Sequence, residues 1–199
     1  MIPPTQAPPR SRNAAATRQA ILASARRHFA RDSYENVGLR EIARDAGADP
    51  ALVSRYFGSK EQLFKESVRA DKDLMQGVTR DALPAHFAAL LLDGDSGDAD
   101  HAADEMDRLM ILLRSATSPK PSSIIREAID EDILGPVAAL LGGADASLRA
   151  SLGLAVLMGA GIMRSALAIA PLESLSADAL RARLTALFAA ALDEGSGAV

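Results

Sequence analysis

Leu39-Arg-Glu-Ile-Ala-Arg-Asp-Ala-Gly-Ala-Asp-Pro-Ala-Leu-Val-Ser-Arg-Tyr-Phe-Gly-Ser-Lys-Glu-Gln-Leu-Phe64 holds two short helical patterns on either side of a glycine turn. Leu39, Ile42, Ala43 and Ala46 recur at helical spacing, and Gly47 ends the run. Asp49 stands at an N-cap and Pro50 at the first helical position, where its fixed φ and missing N–H cost nothing. Leu52, Val53, Tyr56 and Phe57 continue this next helix until Gly58 stops it. Ser59, with Gln62 three residues on, makes a capping box for another helix. That helix is expected to pass Leu63, Phe64 and Val68 and run toward Val78, with Pro84 beyond its end. A helix-turn-helix needs a short helix, a tight glycine turn and a second helix whose exposed N-terminal side chains reach base edges. Ala43 is small where the two helices would cross, and Ile42, Val53 and Phe57 would close a core with Phe29. The opposite face carries Arg40, Arg44, Ala51, Ser54, Arg55, Tyr56 and Lys60 and is rich in donors.

This stretch resembles the DNA-binding head of the TetR family of bacterial repressors, above all through Arg55-Tyr-Phe-Gly-Ser-Lys-Glu61 and Leu63. The resemblance extends over about residues 14 to 66. It implies that Arg40 meets a base or phosphate from the helix before the turn, and that Ala51, Ser54 and Arg55 occupy the exposed positions of the recognition helix. It further implies that Tyr56 and Lys60 contact phosphate. Gly38 stands where a Thr or Ser commonly caps the second helix and touches phosphate, which weakens the cap. Ser54 replaces a common Tyr and leaves Arg55 a larger share of base readout. Physical chemistry supports this division, because Arg reads guanine O6 and N7 best whereas Tyr and Lys position phosphates without sequence preference.

Working outward from the motif, residues 1–13 are Pro-rich and basic and are expected to form a disordered arm. Arg10 and Arg12 would reach a minor groove from it or serve as a solubilising tail. Ala16, Ile21, Leu22, Ala25 and Phe29 then predict a first helix over Ala14 to Arg31, which completes a head of residues 14–60. Charge is divided in the same way. The net charge is −4, yet residues 1–72 carry 13 Lys/Arg against 8 Asp/Glu and residues 73–199 carry 9 against 18. A basic head on an acidic body suits one end approaching phosphates while the rest stays off the duplex.

Residues 61–199 read as a helical body for ligand sensing and dimerisation, giving an all-α chain of about nine helices in total. Its segments are expected at Pro84–Leu92, Ala102–Ala116, Ser122–Leu141, Ala146–Ala170 and Ala177–Asp193, with Gly135 and Pro136 kinking or splitting the third. Leu152, Leu154 to Gly159 and Gly161 to Met163 are apolar nearly all round, and Leu180, Leu184, Leu187, Phe188, Ala191 and Leu192 form a stripe. Together they predict a homodimer interface, and the resemblance implies the same for the last two long helices. Resemblance also implies a small-molecule effector between body helices. Phe87, Met106, Met110, Leu113, Arg114, Met158 and Arg164 are candidate lining residues. Arg114 and Arg164 each need a partner, either an anionic ligand or one of Asp107, Glu127 and Asp130.

Other functions have little support. The chain lacks cysteine, and His28, His86 and His101 stand far apart, so neither metal nor thiol chemistry is expected. No phosphate loop, dinucleotide fingerprint or nucleophile elbow occurs, so neither a cofactor nor an enzyme is expected. Glu127, Asp130, Glu131 and Asp132 form an acidic cluster that a solvated helix face explains. Leu152 to Ala170 is interrupted by Gly153, Gly159, Gly161, Arg164 and Ser165, and no signal-peptide core precedes the head. The expected partner is a palindromic double-stranded DNA operator in the cytoplasm, with no membrane. The rival reading is a ligand- or protein-binding module derived from the helix-turn-helix but without DNA binding.

Overall fold

The computed structural model describes residues 10–69, 74–93, 107–108, 110–115 and 118–194, and no strand occurs among them. Helix α1 (Arg10–Arg31) begins earlier than the expected Ala14 and carries Arg10 and Arg12 in its first turn. It is followed by α2 (Leu39–Asp45), α3 (Pro50–Phe57) and α4 (Lys60–Val68). Helix α4 does not continue toward Val78. Arg69 leaves the helical region at φ −61° and ψ 138°, and residues 74–77 form a turn with Gly77 at φ 71°.

The body comprises α5 (Leu83–Asp93), α6 (residues 110–115), α7 (Pro119–Ile129), α8 (Gly135–Leu141), α9 (Ala146–Gly161), α10 (Ala170–Glu173) and α11 (Ala177–Leu192). A π turn at Asp130–Leu134 joins α7 to α8 without a gap. Its cause lies in the sequence: Pro136 has no N–H to give the preceding turn, and a Cβ on Gly135 would stand 3.0 Å from the Asp130 carbonyl oxygen. The expected kink therefore takes the form of a widened turn just ahead of Gly135. The single helix expected over Ala146–Ala170 is divided: a second π turn at Ile162–Ala166 follows α9, and Ala168 then enters the left-handed region at φ 47°.

Two clusters of buried side chains organise the molecule. The first unites Ile21, Ala25 and Phe29 of α1 with Ile42, Ala43, Val53 and Phe57. Leu63 and Phe64 of α4 join it, as do Ile111, Ile124 and Ile125 from the body, so α4 is packed on both sides. Phe64 meets Phe29 and Tyr34 edge-on, each at 4.9 Å between ring centroids, an arrangement aromatic quadrupoles favour. The second cluster joins Leu83, Phe87 and Ala88 to Val137, Leu141, Ala150, Leu180, Leu184, Phe188 and Leu192.

Gly153 allows α9 to approach closely, since a Cβ there would come within 2.8 Å of Leu192 Cδ2 and 3.3 Å of Phe87 Cε2. Arg149, only 2% exposed, ties the end of α11 back to α9. Its guanidinium donates to Asp145 at 2.9 Å, to the Leu192 carbonyl at 3.1 Å and to the Gly142 carbonyl. Residues Ala146–Arg164 have the length and apolarity of a membrane-crossing helix, yet only 28% of that window is buried within the protomer.

Candidate nucleic-acid interface and body cavity

Local interactions set the angle of α2 and α3 before any DNA is considered. Ser24 of α1, fully buried, lies 3.0 Å from the Ile42 carbonyl and 2.7 Å from Asp45 Oδ2. Arg27 donates to the same carboxylate at 2.7 Å. These bonds, Ser24 first and Arg27 next, hold the Asp45 carboxyl below the ordinary carboxylate range. The turn follows at Gly47 (φ 62°), and Ala48 N–H donates to the Ala43 carbonyl at 2.9 Å. Asp49 Oδ1 then accepts Ala51 N–H at 2.8 Å, so the expected cap is formed, with Pro50 at the helix start. Ser59 Oγ accepts Gln62 N–H at 3.1 Å and caps α4.

With Val53 and Phe57 buried, α3 turns Ala51, Ser54 and Arg55 outward onto one exposed face, and Arg40 and Arg44 of α2 are exposed beside it. Tyr56 is half-buried against the head cluster. Lys60 is also half-buried: Nζ donates to the Glu35 carbonyl at 3.2 Å and lies 4.8 Å from the Tyr34 ring centroid. Burial, reinforced by Lys120, lowers the Lys60 pKa, while Glu35 opposes the shift. Lys120 of α7 approaches the same ring at 5.7 Å and pairs with Glu61 at 3.4 Å. Gly38 caps α2 with no side-chain bond.

The body contains a cavity of about 680 Å³, open to solvent, between α6, α7, the first π turn and α9; Ser123, Arg126, Glu127 and Asp130 at its rim are exposed. Leu112, Ile125, Ile129, Leu134 and Met158 supply apolar wall, and Ser122, Ser123, Arg126, Glu127 and Asp130 supply polar groups. Among the expected lining residues that the structure describes, Met158 alone is placed there. Phe87 is buried in the second cluster, 5.4 Å from Phe188 between ring centroids, and Met110 packs on the first. Leu113 and Arg114 are exposed, because α6 turns Leu112 inward instead. Arg164 donates to the Leu91 carbonyl and does not line the cavity. Met106 lies outside the described residues. Arg126 and Asp130 were not anticipated as cavity residues. Arg126 lies on α7 and Asp130 opens the π turn that continues it; the apolar spacing of this stretch is legible in the sequence, but which side faces α9 is not.

Lys65 of α4 is paired with the acidic cluster. Its Nζ lies 2.9 Å from Glu127 and 3.2 Å from Glu131, with its side chain only 16% exposed. Arg69 reaches Glu131 at 2.7 Å and Asp132 at 3.2 Å. Three members of the acidic cluster therefore hold α4, and the remaining one, Asp130, faces the cavity.

The family model for the tetR family of bacterial regulatory proteins matches residues 21–67, and that for the tetracyclin repressor-like C-terminal domain matches residues 81–192. The transcriptional regulator BetI of Agrobacterium fabrum is 39% identical over 72 residues, 36% of this chain and 34% of that protein. The transcriptional repressor AcnR of Corynebacterium efficiens is 32% identical over 83 residues, 41% of this chain and 44% of that protein. The chain thus aligns with about a third to under half the length of these curated relatives, all of them regulators and none an enzyme. A TetR-family regulator from Streptomyces coelicolor A3 matches over 95% of this chain and 99% of its own, with a TM-score of 0.50 and 26% identity. Salmonella enterica GusR shares the fold with a TM-score of 0.59 and 21% identity, over 86% of this chain and 95% of that one. With one family model on the helix-turn-helix and the other across more than half of the sequence, the chain belongs to the TetR family of bacterial regulators.

Proposed function

We propose that this chain is a sequence-specific, DNA-binding transcriptional regulator, a cytoplasmic homodimer that represses from a palindromic operator and whose grip is modulated by a small molecule in the body cavity. The observation that carries this reading is the outward face of α3. Ala51, Ser54 and Arg55 are exposed together on a helix anchored by Val53 and Phe57 and capped by Asp49. A major groove accepts such a helix, and Arg55 is its best reader of guanine. Arg40, Tyr56 and Lys60 serve as phosphate or base contacts around it. Lys60 exchanges the Glu35 carbonyl for a charged phosphate oxygen when DNA arrives.

Reading two half-sites requires a two-fold partner. Leu148, Leu152, Ala155, Gly159 and Met163 form an exposed apolar and small stripe along α9 and its π extension, with Leu187 exposed on α11. A second copy covering that stripe accounts for an apolar helix left so open in the protomer. Leu180, Leu184, Phe188 and Leu192, expected at the interface, are buried within the protomer instead. The cavity is of ordinary ligand size, about 300–1,000 Å³.

Selection of the purified protein against a random duplex library at near-physiological salt tests the reading. One enriched two-fold symmetric site, with half-sites about 34 Å apart, is expected. Folded protein that enriches nothing overturns it and favours the binding module without DNA recognition, a reading to which the uncapped Gly38 lends support.

A further inference from the structure

Lysine is scarce in this chain: Lys60, Lys65, Lys72 and Lys120 are its four, and Lys120 stands apart from the rest, in the acidic body. Lys65 is committed to Glu127 and Glu131. Lys120 is held far more loosely. Its Nζ lies 3.4 Å from Glu61, with the two side chains 62% and 51% exposed, and 5.7 Å from the Tyr34 ring centroid. An ion pair so open to water is weak and exchanges readily, and the ring contact is near the limit of cation–π attraction, about 6 Å.

Its backbone, in contrast, is fixed. Pro119 and Pro121 stand on either side of Lys120 in the first turn of α7 and set φ before and after it. Pro121 is fully buried and anchors the turn. The Ser122 and Ser123 hydroxyls donate back to the Pro119 and Lys120 carbonyls at 3.0 and 2.8 Å. What this rigid helix start holds out to solvent is the Lys120 side chain.

The head decides where that side chain stands. Lys60 Nζ lies 4.8 Å from the same Tyr34 centroid, so the two ammonium groups are no farther apart than those two ring distances laid end to end. One DNA strand offers a phosphate about every 3.4 Å of axis, which puts both lysines within reach of the same or neighbouring phosphates. Burial and then Lys120 lower the Lys60 pKa against the pull of Glu35, as two ammonium groups close enough to repel should do. A phosphate set beside both relieves that repulsion. In the free protein Glu35 and Glu61 balance the two lysines, so an average over the surface hides the pair.

We propose that Lys120, held out by the first turn of α7, is a phosphate contact beside Lys60, so that the DNA-binding surface extends from the head onto the body. The proposal rests on the DNA-binding reading above and adds to it a residue outside the helix-turn-helix. Lys120 gives up Glu61 for the phosphate, and the contact adds grip and orientation without sequence preference.

With so few lysines, an amine footprint is legible residue by residue. The full-length protein is acetylated with sulfosuccinimidyl acetate, alone and with each of two duplexes, the site enriched by selection and an unrelated one at low salt, and each lysine is read by mass spectrometry. Both duplexes are expected to slow acetylation several-fold at Lys60 and Lys120 and to leave Lys65 unchanged. Lys120→Ala is expected to weaken both duplexes by the same factor and to flatten log affinity against log salt by about one unit, whereas Lys120→Arg keeps the parent slope. Protection of Lys60 without Lys120, or an unchanged slope in Lys120→Ala, overturns the inference alone. So does an equal loss in Lys120→Ala and Lys120→Arg, which marks a bracing role. A folded parent that binds neither duplex overturns the proposed function and the inference together. Protection of both lysines and a flattened slope on the unrelated duplex, in a protein that enriches no site, sustain the inference and overturn sequence-specific recognition.

Discussion

Arg55 and Lys60 lie five positions apart in sequence, and the fold has treated them in opposite ways. Arg55 stands free on the outer face of α3, whereas Lys60 is drawn onto the Tyr34 ring and the Glu35 carbonyl. Arg55→Ala is expected to relax sequence preference, with a loss of about 1–3 kcal/mol against the selected site and little against unrelated duplexes. Lys60→Ala is expected to weaken all duplexes nearly equally and to flatten the dependence of log affinity on log salt by about one unit. Titrations of both variants against the selected site and a scrambled one, across a salt series, decide the matter, and equal slopes with equal specificity would refute the division. The outward position of Arg55 was legible because Val53 and Phe57 fix the register of a capped helix around it. The inward turn of Lys60 was not, since its acceptor and its ring come from the α1–α2 connection, far along the chain. The same difficulty displaced Phe87 and Arg114. Helical spacing shows that a residue belongs to a stripe, but not which neighbour that stripe meets.

Helices α1 and α2 are joined by a polar latch, and α9 and α11 by a steric fit; each fails under a different challenge. In the latch, the Ser24 and Arg27 bonds depress the Asp45 pKa. A carboxyl with a depressed folded-state pKa adds stability above its unfolded value, near 3.9, and loses it as pH falls through the folded value. The Asp45 side chain is 44% exposed, so screening limits the contribution to about 0.5–1 kcal/mol. Urea unfolding should therefore show Asp45→Asn less stable than the parent by about that amount at pH 7, with the gap closing as pH falls below the ordinary carboxylate range; a gap that persists in acid would mean the bonds are not those of a carboxylate. The steric fit depends on the hydrogen of Gly153. Replacing it by Ala gives up to about 1 kcal/mol of helix propensity but presses on the end of Leu192 at 2.8 Å and on the buried Phe87 ring at 3.3 Å, so the two effects oppose and the net change should be small. Gly153→Leu fills the space held by Leu192 and Phe87 and should cost about 1–3 kcal/mol or more, read as a fall in the urea midpoint at unchanged slope. The caps and turns of the head were legible because each is written within a few residues, as at Asp49 and Ser59. The early end of α4 was not, because Arg69 is met by Glu131 and Asp132 from a distant π turn.

At the scale of the whole molecule, the sequence showed a last pair of long helices too apolar for a protomer alone, and the structure sorts their residues into two faces. Leu184 (8% exposed) and Phe188 (0%) face the protomer's own core, whereas Leu148 (61%) and Leu152 (48%) face outward. The two faces predict different failures. Leu184→Ala removes buried volume and should lower protomer stability by about 2–5 kcal/mol. Leu152→Glu alters a site already open to water, so the protomer should keep its helicity and lose no more than about 0.5 kcal/mol. What it should lose is the partner, because a carboxylate set against its symmetry mate in an apolar seam is desolvated and repelled at once. Sedimentation at micromolar concentration should then show monomer, and operator affinity should fall by two orders of magnitude or more, since one recognition helix keeps only half of the contacts. If Leu152→Glu stays dimeric, the stripe along α9 is not the two-fold seam. If it becomes monomeric yet binds the full operator as tightly as the parent, the half-sites are not read by a preassembled pair.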